Sequence, residues 1–168
     1  SNYIGLIPLL THISYWYSPN TKRIENSSQE YHLDHEDYKQ VKGFFLLEDV
    51  DEECGPTVFL NSKVSKKIIN EINYKNSFES KRVDEDIIGK FKGENQISCT
   101  GKRGTLYLID TSNCFHFGSR KSLKPRKILA FQFISTCSTS LMWDWKKSSI
   151  LNKPFWQSDG LSKNQRLV

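Results

Sequence analysis

The sequence contains no apolar run of membrane-spanning length. A transmembrane helix needs roughly 20 consecutive apolar residues, and the apolar stretch near the start, Ile4 to Leu10, is much shorter than that. The same stretch lacks a basic flank, so we do not expect it to be a signal peptide. The sequence therefore predicts a protein without a membrane span.

Cysteine is sparse and forms no metal-binding pattern. Cys54, Cys99, Cys114 and Cys137 are scattered through 168 residues, and no two of them make the C-x-x-C pair that structural zinc sites use. Their low density also differs from the dense framework of a small disulfide-stapled domain. We interpret them as reduced thiols and expect a cytoplasmic protein.

Signatures of nucleic-acid binding are also missing. The chain carries a net charge of +5, but it has no recognition helix, zinc finger or aromatic-basic ribonucleoprotein motif. We interpret the dispersed lysines as a solvated surface; the alternative is that they attract an anionic substrate or co-substrate. We expect a small-molecule substrate and no nucleic-acid partner.

Short strands dominate the pattern that is present. Aromatic residues make up 12% of the chain, which suits a compact core in one domain spanning residues 1–168. A single segment, Ser62 to Tyr74, has helical spacing, with Ser62 as its expected cap. The predicted strands cover Thr11 to Tyr17, Lys42 to Val50, Thr57 to Leu60, Gln96 to Thr100, Gly104 to Asp110, Cys114 to Phe117 and Arg126 to Thr136. This pattern predicts a mainly β sandwich or barrel, of which the double-stranded jelly roll is one form, with one or two helices.

Two segments fall outside this pattern. Residues 75–95 are charged and weakly patterned, so we expect a surface insertion there. The segment after Ser138 holds Trp143, Trp145 and Trp156, which we expect to pack across a sheet.

The pair His32 and Asp34 is the first candidate for chemistry. Residues i and i+2 of a strand point to the same face, so this imidazole and this carboxylate can meet one metal ion. His116 follows 84 residues later, just beyond an apolar strand and a polar turn. Two histidines and one carboxylate form the facial triad of non-haem iron oxygenases, which leaves three metal positions open. The alternative for His116 is a core histidine bonded to a backbone carbonyl.

Arg126 is the second candidate, because it opens an apolar strand ten residues after His116. A guanidinium that points into a barrel needs an anion, and its fixed fork matches a carboxylate. The alternative is a solvated arginine at a strand end. We expect Lys127 to point to the opposite face, and Arg120 to face water from a loop rich in lysine and serine.

Order and spacing of these motifs resemble the phytanoyl-CoA dioxygenase family. The matching pieces are Tyr31 to Asp34, Glu53 to Thr57, Gly101 to Asp110, and His116 with Pro125 and Arg126 after it. The resemblance implies a jelly roll that uses Fe(II), 2-oxoglutarate and O₂ to hydroxylate a small or carrier-linked substrate.

The resemblance also implies roles for individual residues. His32, Asp34 and His116 would bind iron, and Arg126 would bind the far carboxylate of 2-oxoglutarate. The family has a small hydroxyl residue two positions after the distal histidine. This sequence has Gly118 there and Ser119 next, which makes Ser119 the candidate hydroxyl contact to 2-oxoglutarate.

Other functions compete with this interpretation. A catalytically inactive jelly-roll binding module would need the triad to be incidental, and iron-dependent conversion of 2-oxoglutarate to succinate separates the two. A halogenase of the same family would have a small residue in place of Asp34, which disfavours it. Demethylation of nucleic acid rests only on the net charge.

Overall fold

The computed structural model of the protein describes residues 2–19, 28–75, 82–91, 96–138 and 140. Within these residues the chain forms seven strands, two α-helices and one 3-10 turn at Glu52–Cys54. The strands are β1 (Pro8–Ser18), β2 (Val41–Leu46), β3 (Val58–Leu60), β4 (Gln96–Ser98), β5 (Leu106–Ile109), β6 (His116–Phe117) and β7 (Arg126–Ser135). The helices are α1 (Ser62–Glu71) and α2 (Glu85–Gly89). Neither of these helices is long and apolar enough to cross a membrane.

The strands form two antiparallel sheets. The larger sheet has the order β1-β7-β2-β5, and the smaller has the order β4-β3-β6. Among the described strands, only β3 and β4 are both consecutive along the chain and paired. The other consecutive strands lie in different sheets or are separated by a third strand, as they are in a jelly roll. The predicted mainly β jelly-roll fold is confirmed.

Side-chain alternation along the larger sheet separates a buried face from an open one. Phe44, Leu46 and Ile128 are buried in one core cluster, whereas Ile13 and Leu108 are each 62% exposed on the other face. A second core cluster gathers the apolar residues around the smaller sheet and the helices, among them Tyr31, Leu33, Leu60, Ile68 and Phe115. Tyr31 and Leu33 belong to this second cluster and alternate with His32 and Asp34. Because of this alternation, the segment with the H-x-D motif (His32 and Asp34) packs one face against the core, and its polar side chains point away from the core.

A close approach between β2 and β7 requires glycine at position 43. Gly43 lies opposite Phe131 in the register of the two strands, and a Cβ at Gly43 would lie 2.2 Å from the Phe131 ring. The ring therefore occupies the space that any larger residue at position 43 would take, and it packs the two central strands together.

Two predictions of local structure were wrong. The cap of α1 is Asn61, whose side chain accepts a hydrogen bond from the Val64 backbone N–H at 3.0 Å, so Ser62 is already inside the helix. Residues 82–91 do not form a surface insertion, because Val83 and Ile88 are buried in the second core cluster. The rest of the predicted insertion that follows residue 75, and the predicted packing of Trp143, Trp145 and Trp156, lie outside the described residues.

Candidate metal and co-substrate site

His32 and His116 are direct partners in the backbone. The N–H of His32 donates to the carbonyl of His116 at 3.0 Å, and the N–H of His116 donates back at 3.1 Å. Both rings are buried, and their centroids are 4.3 Å apart. The distance between the two imidazoles is therefore set by a pair of main-chain hydrogen bonds, although 84 residues separate them in sequence.

The ring hydrogen bonds leave one nitrogen of each histidine available as a ligand. His32 Nδ1 lies 2.7 Å from the Glu30 carbonyl, and His116 Nδ1 lies 3.0 Å from the Cys114 carbonyl. A carbonyl only accepts, so each Nδ1 carries the hydrogen and each Nε2 keeps its lone pair. Each Nε2 lies 3.7 Å from Asp34 Oδ1.

Burial keeps both rings neutral. It lowers the pKa of His32 to about 3, with a further contribution from the neighbouring His116. Burial also lowers the pKa of His116. Neutral imidazoles are the form that binds metal, so neither ring has to lose a proton at neutral pH.

Asp34 presents its two oxygens to different groups. Oδ1 faces the histidines, whereas Oδ2 accepts hydrogen bonds from Lys42 Nζ at 2.5 Å and from Gln40 Nε2 at 3.1 Å. Burial by itself raises the pKa of this carboxyl, but His116 and Lys42 outweigh that effect, and the pKa lies well below its usual range. Asp34 is therefore an ionised carboxylate in a buried site.

These three side chains fit a divalent transition metal. Their ligand atoms all lie within 4.8 Å of one another, and all three residues are buried. Two neutral imidazole nitrogens and one carboxylate oxygen form the donor set of a facial triad. The structure thus brings together the three residues that the sequence singled out as ligands.

A cavity of about 540 Å³ adjoins the triad. Tyr15, Trp16 and Tyr17 of β1 line it from one side, and Arg126 and Ser119 contribute polar groups. The rings of Trp16 and Phe44 provide apolar surface beside the ligands, and the two polar residues bring hydrogen-bond donors to the same space. The cavity is large enough for a dicarboxylate and part of a second small molecule.

Arg126 is a buried cation that forms no ion pair with any described residue. It is 2% exposed, and its Nη1 donates to Thr57 Oγ1 at 3.1 Å, while its Nε has no hydrogen-bond partner among the described residues. Burial lowers its pKa to about 10. A buried, partly unsatisfied guanidinium is costly without an anion, so the geometry suits a carboxylate in the cavity.

Ser119 contributes a second buried polar atom, besides Arg126 Nε, that no described residue satisfies. Its hydroxyl is buried and makes no hydrogen bond to the described residues. Gly55 holds the facing turn with a positive φ of 59°, and a Cβ there would lie 2.9 Å from Ser119 Oγ. Glycine at this turn therefore leaves room for the hydroxyl.

Lys127 and Arg120 were the rival cations for the cavity. Lys127 points to the opposite face, as expected, and forms an ion pair with Glu48. The expectation that Arg120 faces water was wrong: its guanidinium lies 3.7 Å above the Phe117 ring and 2.9 Å from Glu85. Stacking and ion pairing hold Arg120 against the core, and it is not among the residues that line the cavity.

Lys42 and Gln40 were missed by the sequence analysis. The alternation along β2 carried a signal, because Lys42 shares a face with Phe44 and Leu46, which are buried. A lysine on a buried strand face needs an anionic partner nearby. Gln40 precedes the strand and gave no such signal.

Comparison with known proteins identifies the fold. No protein-family model and no curated protein matches the chain, whereas 64 solved chains match it in structure. EvdMO1 has a TM-score of 0.51 and 12% identity over 80% of this chain. HygX from Streptomyces hygroscopicus with nickel and 2-oxoglutarate bound has a TM-score of 0.50 and 9% identity over 81% of this chain. The epimerase SnoN in complex with Fe3+, alpha ketoglutarate and nogalamycin RO has a TM-score of 0.50 and 13% identity over 76% of this chain.

These three likenesses show the fold alone, because sequence identity is low throughout. The chain spans 29% of EvdMO1, 61% of HygX and 50% of SnoN. It has the double-stranded jelly-roll architecture of this group of structures. A cluster of two histidines and one aspartate lies in that architecture, beside a cavity lined by a buried arginine.

Proposed function

We propose that this protein is an Fe(II)- and 2-oxoglutarate-dependent dioxygenase that hydroxylates a small or carrier-linked organic substrate. One observation carries the proposal. The Nε2 atoms of the neutral His32 and His116 rings converge with Asp34 beside a cavity. Arg126 is buried in the wall of this cavity and forms no ion pair with a described residue. The triad suits iron, and the arginine suits the far carboxylate of a co-substrate that reaches the same metal.

Each residue has a separate task in this proposal. His32, Asp34 and His116 hold the iron, Arg126 pairs with the far carboxylate of 2-oxoglutarate, and Ser119 donates its hydroxyl to the co-substrate. With iron and 2-oxoglutarate bound, the site would supply oxidative chemistry in which O₂ and 2-oxoglutarate are consumed, succinate and CO₂ are released, and a substrate C–H bond becomes C–OH.

The remaining protein groups bind and exclude water. The rings of Trp16 and Phe44, whose centroids are 6.0 Å apart, form an apolar wall of the cavity. An apolar wall orients an organic substrate and removes water from the reacting centre. The substrate, or the reacting group of a larger substrate, must be small enough to enter this cavity.

Two finer assignments belong to the same proposal. The segment from Tyr31 to Asp34, the turn from Glu53 to Thr57, and His116 with Arg126 after it support a relationship to the phytanoyl-CoA dioxygenase family. Four free cysteines, three of them buried, support a cytoplasmic site of action, since such thiols persist in a reducing compartment. We further propose that residues 1–168 act as one domain.

The experiment is a measurement of succinate release from 2-oxoglutarate under controlled loading with Fe(II). The wild-type protein should release succinate only with Fe(II) and O₂, and Asp34→Ala should lose this activity by orders of magnitude. Lys127→Ala is the matched control, because Lys127 points away from the cavity.

The outcomes separate the functions. Binding of Fe(II) and 2-oxoglutarate without succinate release, over a panel of substrates, would favour an inactive binding module. Failure of the wild-type protein to bind Fe(II) would overturn the metal assignment itself. Equal succinate release by Asp34→Ala would overturn the role of Asp34.

A further inference from the structure

Lys42 places a charge where the fold otherwise buries apolar side chains. It lies on β2, on the face that carries buried Phe44 and Leu46. Its side chain is only 13% exposed, and its ammonium lies 2.5 Å from Asp34 Oδ2. A lysine in such a position is held by its partner, because burial of an unpaired ammonium is costly.

The two oxygens of Asp34 are not equivalent. Oδ1 lies 3.7 Å from each histidine Nε2. Oδ2 receives two donors, Lys42 Nζ at 2.5 Å and Gln40 Nε2 at 3.1 Å, and Gln40 is itself tied to Thr111 Oγ1 at 2.6 Å. Both donors meet an ionised carboxylate, but only Lys42 adds a full positive charge and therefore a direct ion pair, so Lys42 is the stronger of the two partners of Oδ2.

We propose that Lys42 is a positioning residue that limits Asp34 to ligation through Oδ1 alone. The inference rests on the proposed metal-binding role of the triad. A carboxylate that binds through both oxygens takes two of six metal positions, and the two histidines take two more. The co-substrate would then fill the last two and leave none for O₂. With Oδ2 held by Lys42, the triad occupies three positions and keeps three open.

The positive charge of Lys42 determines how its removal should change metal binding. In the metal-free site, Lys42 compensates the buried charge of Asp34. If Lys42 is removed, a bound divalent cation becomes the main compensation for that carboxylate, and Oδ2 is released from its strongest donor. Lys42→Met should therefore bind metal at least as tightly as the wild type, but with both oxygens of Asp34.

Water-proton relaxation by bound Mn(II) measures this difference without requiring turnover. The ion alone is the probe, and the relaxation rate counts the exchangeable waters on it. Three open positions in the wild type and two in Lys42→Met predict a loss of about one third of the inner-sphere relaxation. With 2-oxoglutarate added, the wild type should keep one water and Lys42→Met should keep almost none.

Two further variants make the comparison specific. Lys42→Arg retains a charged donor and should restore wild-type relaxation. Lys127→Met removes a lysine from the outward face of β7, where its ammonium is paired with Glu48 at 3.3 Å, and should leave relaxation unchanged. A role of Lys42 in the fold alone would lower the melting temperature without changing the number of waters.

A second measurement uses the wild type only. Isotope-edited infrared spectra of the Mn(II) form, with labelled aspartate, distinguish a carboxylate bound by one oxygen from one bound by two. We expect the one-oxygen signature for Asp34 in the wild type. A two-oxygen signature would overturn the inference even if Lys42→Met failed to fold.

The outcomes also separate this inference from the function on which it rests. If the wild-type protein binds no Mn(II), the proposed metal site is wrong. If the wild type binds Mn(II), but Lys42→Met shows the same relaxation, the metal site stands and the role of Lys42 is wrong. Weaker Mn(II) binding by Lys42→Met with unchanged hydration would likewise overturn the inference.

Discussion

Each of the two histidines donates from one ring nitrogen to a backbone carbonyl and presents the other to Asp34. Replacement of either ring removes one of three ligands and opens the site. We therefore expect His116→Ala and His32→Ala to lose Fe(II) and Mn(II) binding at micromolar metal, as measured by equilibrium dialysis. His35→Ala is the control, because His35 lies next to Asp34 in sequence but outside the cluster. Wild-type metal binding by both alanine variants would contradict the assignment.

The lowered pKa of His32 predicts a dependence of stability on pH. The unfolded chain takes up a proton on this ring below about 6.5, whereas the folded protein does so only near pH 3. The folded state therefore binds fewer protons in this window, and the free energy of unfolding falls as the pH falls from about 6.5 towards 3. Burial lowers the pKa of His116 and acts in the same direction.

Urea unfolding of the metal-free protein at pH 7, 6, 5 and 4 measures this dependence. We expect stability to decrease stepwise on acidification, with a smaller decrease in His32→Gln, which lacks the titrating ring. A stability that is constant from pH 7 to pH 4 would show that the folded protein protonates these rings as readily as the unfolded chain does.

Arg126 predicts a separate effect on the co-substrate. Removal of one partner of a buried charge pair costs about 3–5 kcal/mol, and 1.4 kcal/mol corresponds to a factor of ten. We expect Arg126→Ala to raise the apparent KM for 2-oxoglutarate at least ~100-fold while metal binding survives, since no metal ligand is changed.

A titration of succinate release against 2-oxoglutarate compares Arg126→Ala with two controls. Lys127→Ala should behave as the wild type, because that side chain points outward. Arg120→Ala should lose stability, through its contacts with Phe117 and Glu85, but should keep the wild-type KM. A large shift in Arg120→Ala with none in Arg126→Ala would reassign the arginine.

Among the contacts between secondary-structure elements, the packing of β2 against β7 can be tested directly by a substitution at Gly43. A Cβ at Gly43 would lie 2.2 Å from the Phe131 ring, so a side chain there forces the two strands or the ring to move. Overpacking of this kind costs about 1–3 kcal/mol, and we expect Gly43→Val to lower the free energy of unfolding by that amount. Gly89→Ala is the control, because nothing lies within 4 Å of its added methyl group. Equal stability of Gly43→Val and the wild type would mean that the strands adjust freely.

The elements themselves were largely predictable from the sequence, because alternation and turn residues are local signals. β3, β4, β5, β6 and β7 lie within predicted segments, and β2 begins one residue before its own. The helix α1 also lies within the segment that has helical spacing. The short helix α2 was not predictable from periodicity, since its five residues contain a single buried position, Ile88. Its burial depends on contacts with the core cluster that are distant in sequence.

The three candidate metal ligands were also predictable, because they belong to recognisable sequence patterns. The H-x-D spacing and the distal histidine are sequence features, so His32, Asp34 and His116 could be named in advance. The position of Arg120 depends on Phe117 and on Glu85, which lies 35 residues away. No local pattern reports such a contact, and a loop rich in lysine and serine suggested solvent instead.

Metal binding should stabilise the whole molecule. A ligand that binds only the folded protein adds about 2.7 kcal/mol to the free energy of unfolding when its concentration is one hundred times its Kd. We expect Mn(II) at this concentration to raise the melting temperature of the wild type by several degrees, measured by thermal unfolding. His116→Ala should show no such rise, and a rise equal to that of the wild type would locate the binding elsewhere.

The pairing of His32 with His116 through the backbone has a topological consequence. A metal ion held by both would fasten two points that lie 84 residues apart, so that β2, β3, β4, β5 and both helices would lie within one closed loop. Like a disulfide, such a link restricts the unfolded chain, and the restriction grows with the length of the loop. Unlike a disulfide, it opens when the ion dissociates. The lifetime of the bound ion would then limit how fast residue 32 and β6 can separate, so a chelator should accelerate global unfolding of the loaded protein.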